Sequence, residues 1–185
     1  MTNLERVTLE YAQAVLDRGK SNLGSYRMVT NGKGRRKKRR SIASGQLRKS
    51  LAFRASNTRG GTKLTYFAKG EAANYASFQE EGVNGTQKKH GSPYSFRGKN
   101  INTKWIEKWM KSKRMQLREM KNGKLGGFTK GTPAKYKAAA FMIGRSIAKY
   151  GITPVEYMKD AFEDITPRWR ERFEQALIDD LEAKL

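Results

Sequence analysis

The stretch SGQLRKSLAFRASNTRGGTKLTYFAKG, residues 44–70, decides the architecture. Ser44 stands where a hydroxyl caps a short helix, and Leu47 and Leu51 are the apolar residues that helix would carry. Residues 51–55 and 63–68 then read as two strands. In the second, Leu64, Tyr66 and Ala68 alternate with Thr65 and Phe67, the period of two that a pleated chain imposes. The joining segment holds Asn57 and Gly60-Gly61, so the chain turns back on itself as an antiparallel hairpin. Residues 71–81 follow with Ala72, Tyr75, Ala76 and Phe78 at helical spacing, and Gly82 stops them.

On the N-terminal side, Thr2 and Glu5 have capping-box spacing, and Leu4, Val7, Tyr11 and Val15 fall on one helical face. Gly19 is expected to end that helix. Residues 1–20 mix acids with apolar side chains and do not read as a secretory signal. Residues 31–40, NGKGRRKKRR, contain six consecutive cations: Arg35, Arg36, Lys37, Lys38, Arg39 and Arg40. Such a run is expected as a basic loop, either solvated or bound to DNA or to an acidic neighbouring subunit.

On the C-terminal side, residues 83–103 lack periodicity and are expected as an extended loop. Asn84-Gly85-Thr86 matches a glycosylation acceptor, but no secretion signal gives it meaning. Residues 105–120 read as a helix, with Trp105 and Trp109 at one i,i+4 spacing and Ile106 and Met110 at another. Residues 123–131 read as a glycine-rich flexible link, making 83–131 a second long basic excursion. Thr132-Pro133 opens a helix that Gly151 closes, with Ala134, Ala138, Phe141, Met142 and Ala148 as its expected buried stripe. Thr153-Pro154-Val155-Glu156 repeats the capping logic. Thr166-Pro167 is expected to start a third segment, with Trp169, Phe173, Leu177, Leu181 and Leu185 about four apart. The whole reads as a single domain, residues 1–185, without internal repeats.

The chain has 39 basic and 17 acidic side chains, a net charge of +22. Residues 31–150 hold 30 of the basic and five of the acidic groups, whereas 151–185 hold five and nine. The excess lies in the middle and calls for an anionic partner. Hydrophobic residues make up only 37%, so the expected core is modest and much surface is left for neighbours. No stretch is long enough to span a membrane, and the composition is that of a soluble chain.

The residues hold no credible active site. There is no cysteine, and His90 is the only histidine. Glu80-Glu81 and Asp179-Asp180 are sequence neighbours, which diverge by about 100° on a helix. Glu156, Asp160, Glu163 and Asp164 share helical faces but lack an accompanying histidine or strand-borne carboxylate, so their expected role is to neutralise neighbouring arginines or a basic surface of another subunit. Gly60-Gly61 and Gly126-Gly127 lack the phosphate-loop pattern. No catalytic residue, metal or cofactor is expected. Trp105 and Trp109 serve either as core or interface, or as a base-stacking platform. Tyr94 and Phe96 are candidate partner anchors.

Several segments, in order, resemble one family. Residues 44–51, SGQLRKSL, resemble the small-Gly-x-Leu-basic-x-Ser-aliphatic segment of the phage head–tail joining proteins, also called tail-completion or neck proteins and related to the minor tail protein Z group. Residues 75–82, YASFQEEG, are similar to that family's Tyr-Ala-x-Phe/Val-x-Glu-aromatic-Gly element, with Glu81 replacing the aromatic. Lys104-Trp105-Ile106 resembles its basic-Trp-Ile helix start. Residues 146–154, SIAKYGITP, resemble its Ser-Ile-Ala-x-x-Gly-Ile-x-Pro turn, and 157–162, YMKDAF, its aromatic-led helix. Residues 31–40 and 112–131 look like enlarged loops beside the short members.

The resemblance implies an α+β fold, with helices packed on a small antiparallel sheet and long basic loops. It implies a non-enzymatic virion protein, assembled in the host cytoplasm, that forms a homo-oligomeric ring in the neck. Its partners would be itself, the head adaptor or connector, and tail-tube or terminator proteins, with genomic DNA in the lumen as a further candidate. Rings need two unlike faces per subunit. The acidic end, with Asp179 and Asp180, is expected to meet a neighbour's basic middle, and the run 35–40 to face DNA or an adjacent ring. The alternatives are a tail-terminator subunit, a basic nucleic-acid-binding protein in keeping with the pI of 10.3, and, least supported, an enzyme such as a nuclease.

Overall fold

A computed structural model describes residues 2–30, 36–40, 45–59, 61–96, 101–112, 114–121, 124–129 and 131–183. The protein is α+β, and its contacts divide into two units, residues 1–82 with 153–185, and residues 83–152.

The first unit is built on α1 (Asn3–Gly24) and α6 (Tyr157–Glu182), which run antiparallel. Thr2 and Glu5 form the expected capping box, each accepting from the other's amide, at 3.1 and 3.0 Å. Asp180, near the far end of α6, accepts from the amides of Asn3 and Leu4 at 2.8 Å each. The first three amides of α1 are thereby satisfied. Gly19 does not end the helix. It is buried within α1, and a Cβ there would press on the Met158 sulfur at 2.6 Å. Glycine is tolerated mid-helix because it lets the two helices approach.

Strands β3 (Leu51–Thr58) and β4 (Gly61–Ala68) form the predicted hairpin, in register from Leu51↔Ala68 to Thr58↔Gly61. Its base is buried and its tip exposed. The core gathers Leu16 and Leu23 of α1, Leu51, Ala68 and Tyr157 with Leu47 of α2 (Gln46–Ser50) and Ala72 of a 3-10 turn (Gly70–Ala72). Helices thus pack on one small sheet. Ser44 lies outside the described residues, and the residue at the N-cap of α2 is Gly45, at φ 76°. The helix α3 (Ala73–Glu81) follows as the sequence predicts.

Further expectations in this unit are corrected. Residues 36–40 form strand β2 (Arg36–Arg40), paired antiparallel with β1 (Tyr26–Thr30) from Tyr26↔Arg40 to Thr30↔Arg36. Strand pairing uses backbone groups that every residue here supplies, and β1 (YRMVT) is rich in strand formers. Nor do 153–156 cap a helix and 166–167 start another. Helix α6 begins at Tyr157 and runs through Pro167 without a break. Pro167 lies on the exposed side, where water can satisfy the carbonyl its ring leaves without a donor. Ties to α1 on both sides flank it: Arg18–Asp164 at 2.7 Å, Tyr11–Thr166 at 2.8 Å and Arg172–Glu10 at 2.6 Å.

In the second unit, α4 (Thr103–Ser112) packs on α5 (Pro133–Tyr150), which Thr132 caps and Gly151 ends as predicted. Of the predicted stripe of α5, Ala148 is buried, together with Ala140 and Gly144, whereas Ala134, Ala138, Phe141 and Met142 are exposed. Small residues win the inner face because α4 comes so close that a Cβ on Gly144 would meet Thr103 and Ile106 at 3.3 and 3.4 Å.

Residues 83–96, predicted as an extended loop, are stitched to the end of α5. Val83 and Ile152 exchange backbone hydrogen bonds at 2.8 Å, and the amides of Thr86 and Gln87 donate to the carbonyls of Ala148 and Lys149 at 2.9 Å. The predicted helix 105–120 stops at Ser112, and β5 (Leu117–Lys121) pairs antiparallel with β6 (Lys124–Thr129) as the two arms of a hairpin. Among the described residues, no helix is long and apolar enough to cross a membrane.

Candidate interaction faces

Most of the sequence-predicted carboxylates are consumed within the chain. Asp164 lies between Arg18 and Arg168, at 2.7 Å from each, and Glu156 pairs with Lys159 at 3.1 Å. Asp164 thus neutralises two arginines as expected, and Glu156 a lysine of its own helix. Asp179 accepts from Gln175 at 2.8 Å, and Asp180 caps α1. Of the two acids expected at a subunit interface, Asp180 is therefore committed to its own fold. Glu80 reaches across to α6 and accepts from the amides of Met158 and Lys159 at 2.9–3.2 Å. It supplies the cap that Glu156, at φ 49° with no side-chain bond to the helix's first amides, does not. Burial lifts the Glu80 carboxyl above its ordinary value, and the donated amides offset part of that rise.

His90 is a structural pin rather than a solvent residue. Its amide donates to Asn84 Oδ1 at 2.6 Å, and its Nε2 donates to the Tyr150 carbonyl at 2.8 Å, closing the loop over the end of α5. Among the described residues no cluster of three or more His, Cys, Asp or Glu could hold a metal ion.

The aromatic candidates separate. Tyr94 and Phe96 are half-buried, tied through their backbones to Asn84. Trp105 and Trp109 are not core: Trp105 is 69% exposed and Trp109 41%. The inner side of α4 is taken by Ile106 and Met110, so the tryptophans point outward beside Lys104 and Lys108. The Lys108 ammonium lies 5.6 Å from the Trp105 ring centre, a cation–π contact that holds both at the surface. On α5, Phe141 and Met142 are 57% and 62% exposed, next to exposed Arg145. The outer faces of these two helices are basic and aromatic. Residues 83–152 carry 17 basic against two acidic side chains, which concentrates the charge excess here.

The first unit has an uncovered face of the other kind. On α6, Trp169 and Phe173 stack on Tyr11 and Ala176 is buried, so the inner stripe advances by three from 173 to 176. Leu177, Ile178 and Leu181 rotate outward, Leu181 being 55% exposed. Glu174 and Glu182 sit at the same helical spacing and are exposed. The result is an acidic, aliphatic face. Leu177 and Leu181 thus leave the inner stripe that the four-residue spacing shares with Trp169 and Phe173; Leu185 lies outside the described residues. Arg36, Lys37, Lys38, Arg39 and Arg40 lie on β2, and Arg35 lies outside the described residues.

The sequence does not reveal Phe141, Met142 and Ile178 as surface residues, because an apolar stripe announces burial without saying what buries it. Comparison with protein-family models, curated proteins and solved structures found no match.

Proposed function

We propose that the protein is a structural, non-catalytic subunit of a tailed-phage virion, assembling through unlike faces into a ring in the neck that joins head to tail. The observation that carries this reading is the pair of uncovered faces on one chain. The α6 face offers Leu177, Ile178 and Leu181 with Glu174 and Glu182; the outer sides of α4 and α5 offer Trp105, Trp109, Phe141 and Met142 with Lys104, Lys108 and Arg145. Apolar groups this exposed are costly to leave in water, and the opposite charges set which face meets which. A contact between two different faces propagates head to tail, and it closes into a ring when the rotation allows. The ordered resemblance of residues 44–162 to head–tail joining proteins supplies the location and the partners, the head adaptor on one side and tail proteins on the other.

Mass photometry and negative-stain electron microscopy of the purified full chain test the proposal. Closed rings of one subunit number are expected. A chain that stays monomeric at micromolar concentration and low salt contradicts it.

A further inference from the structure

We propose that the cleft between the end of α4 and the β5–β6 hairpin binds one nucleotide of a single-stranded nucleic acid, with its base on Phe128 and its phosphate at Arg114. This function is separate from ring assembly and does not depend on it.

The cleft is wide-mouthed, about 430 Å³, and Lys111, Arg114, Gln116, Phe128 and Tyr136 are among its lining residues. That volume falls within the roughly 300–1,000 Å³ usual for small-ligand pockets. Its wall is fixed before any ligand arrives. The Tyr136 hydroxyl donates to the Met115 carbonyl at 3.1 Å, and Gly131 lies so close against the Tyr136 ring that no Cβ fits. Lys135 Nζ donates to Thr129 Oγ1 at 2.6 Å, tying β6 to the start of α5.

Phe128 is the first sign of a ligand. It is 63% exposed, although a buried position would be favoured for so apolar a ring. Across the hairpin its partner is Arg118, whose guanidinium lies 4.5 Å from the ring centre. Arg118 thus backs the ring and leaves most of the residue open, as in a platform on which a base stacks. Gln116, exposed at the rim, carries an amide able to donate to and accept from a base edge.

Arg114 is the second sign, and it is independent of the first. It has φ 47°, a left-handed conformation that glycine adopts freely and arginine does not. The position follows the end of α4, where Arg114 N donates to the Lys111 carbonyl and Met115 N to the Met110 carbonyl, both at 3.0 Å. This is the glycine position of a Schellman closure. An arginine held there sacrifices backbone stability, and such outliers mark places where the side chain has a task. Its exposed guanidinium is a fork for phosphate oxygens. Lys111 adds charge nearby but is already paired with Glu107 at 2.7 Å, so Arg114 is the principal phosphate partner. Among the described residues lining the cleft, none is acidic. In a duplex the bases are paired and stacked, and their faces are closed to Phe128; hence the assignment to single strands.

The test is fluorescence anisotropy of a labelled oligothymidylate with the full chain, read beside urea unfolding of each variant. Arg114→Gly is expected to raise the unfolding midpoint while weakening binding several-fold and reducing the salt slope by about 0.7. Arg114→Lys retains charge and is expected to bind within about threefold of the parent. Phe128→Ala is expected to weaken binding about tenfold. A duplex of the same length is expected to bind more weakly and to be indifferent to Phe128→Ala. Undiminished binding by Arg114→Gly overturns the proposal. So does an equal response of duplex and single strand to Phe128→Ala, which would mean diffuse attraction to a basic surface.

Discussion

Two carboxylates set the entry of the two longest helices from far away in sequence: Asp180 on α1 and Glu80 on α6. Removing either leaves amide donors at a helix start without their partner. Asp180→Ala and Glu80→Ala are each expected to lower stability by about 1–2 kcal/mol, read as a shift in the urea midpoint at neutral pH. Glu80 adds a pH signature. Burial raises its folded pKa above the ordinary 4.5, so the folded chain holds that proton more tightly than the unfolded one. The stability linked to that proton is complete below the ordinary value and is lost as pH rises through the raised one, while the capping of the α6 amides remains. Glu80→Gln is expected to flatten that part of the stability–pH profile, whereas an unchanged profile would show that another group controls it. The Tyr157 hydroxyl, buried nearby, is pushed up to about 12 and stays neutral throughout this range.

At the scale of elements, what could be read from sequence was what neighbouring residues decide between themselves. The Thr2–Glu5 box, the Thr132-Pro133 start, the Gly151 stop and the alternation in residues 63–68 are all local, and all are present. The misread elements depend on distant contacts. Pro167 looked like a boundary, yet α6 crosses it because α1 grips the helix on either side. Pro167→Ala restores a donor in an exposed helix interior and is expected to stabilise the chain by about 1–3 kcal/mol, measured by thermal unfolding at 222 nm. The α5 stripe was misphased because Ala140 and Gly144 carry so little apolar signal, although close approach of α4 demands them. One missed signal was local: Asn122-Gly123 lies between the paired residues Lys121 and Lys124, and Asn-Gly is a strong two-residue hairpin cue. Gly151 shows how tight the junction with residues 83–85 is. At φ 72°, any Cβ there would strike the Val83 carbonyl and the Gly85 amide. Gly151→Ala is expected to destabilise the second unit by more than about 2 kcal/mol and to expose the amides of Thr86 and Gln87 to hydrogen exchange.

For the whole molecule, the charge balance of the sequence becomes a division of surface. Among the acids of residues 151–185, Asp164 and Asp180 tie α6 to α1 while Glu174 and Glu182 border an aliphatic face, and the basic middle supplies the aromatic faces of α4 and α5. That division was only partly legible, because composition gives the sign of a surface but not which side chains reach it. The most direct test is a complementation of faces. Trp105→Glu spoils one face and Leu181→Lys the other, both at exposed positions. Each variant alone is expected to be monomeric by sedimentation velocity. An equimolar mixture is expected to stop at a one-to-one dimer, joined by the intact face each partner retains. Full assembly by either variant alone, or a mixture that stays monomeric while the parent chain assembles, would contradict a head-to-tail contact between these two faces.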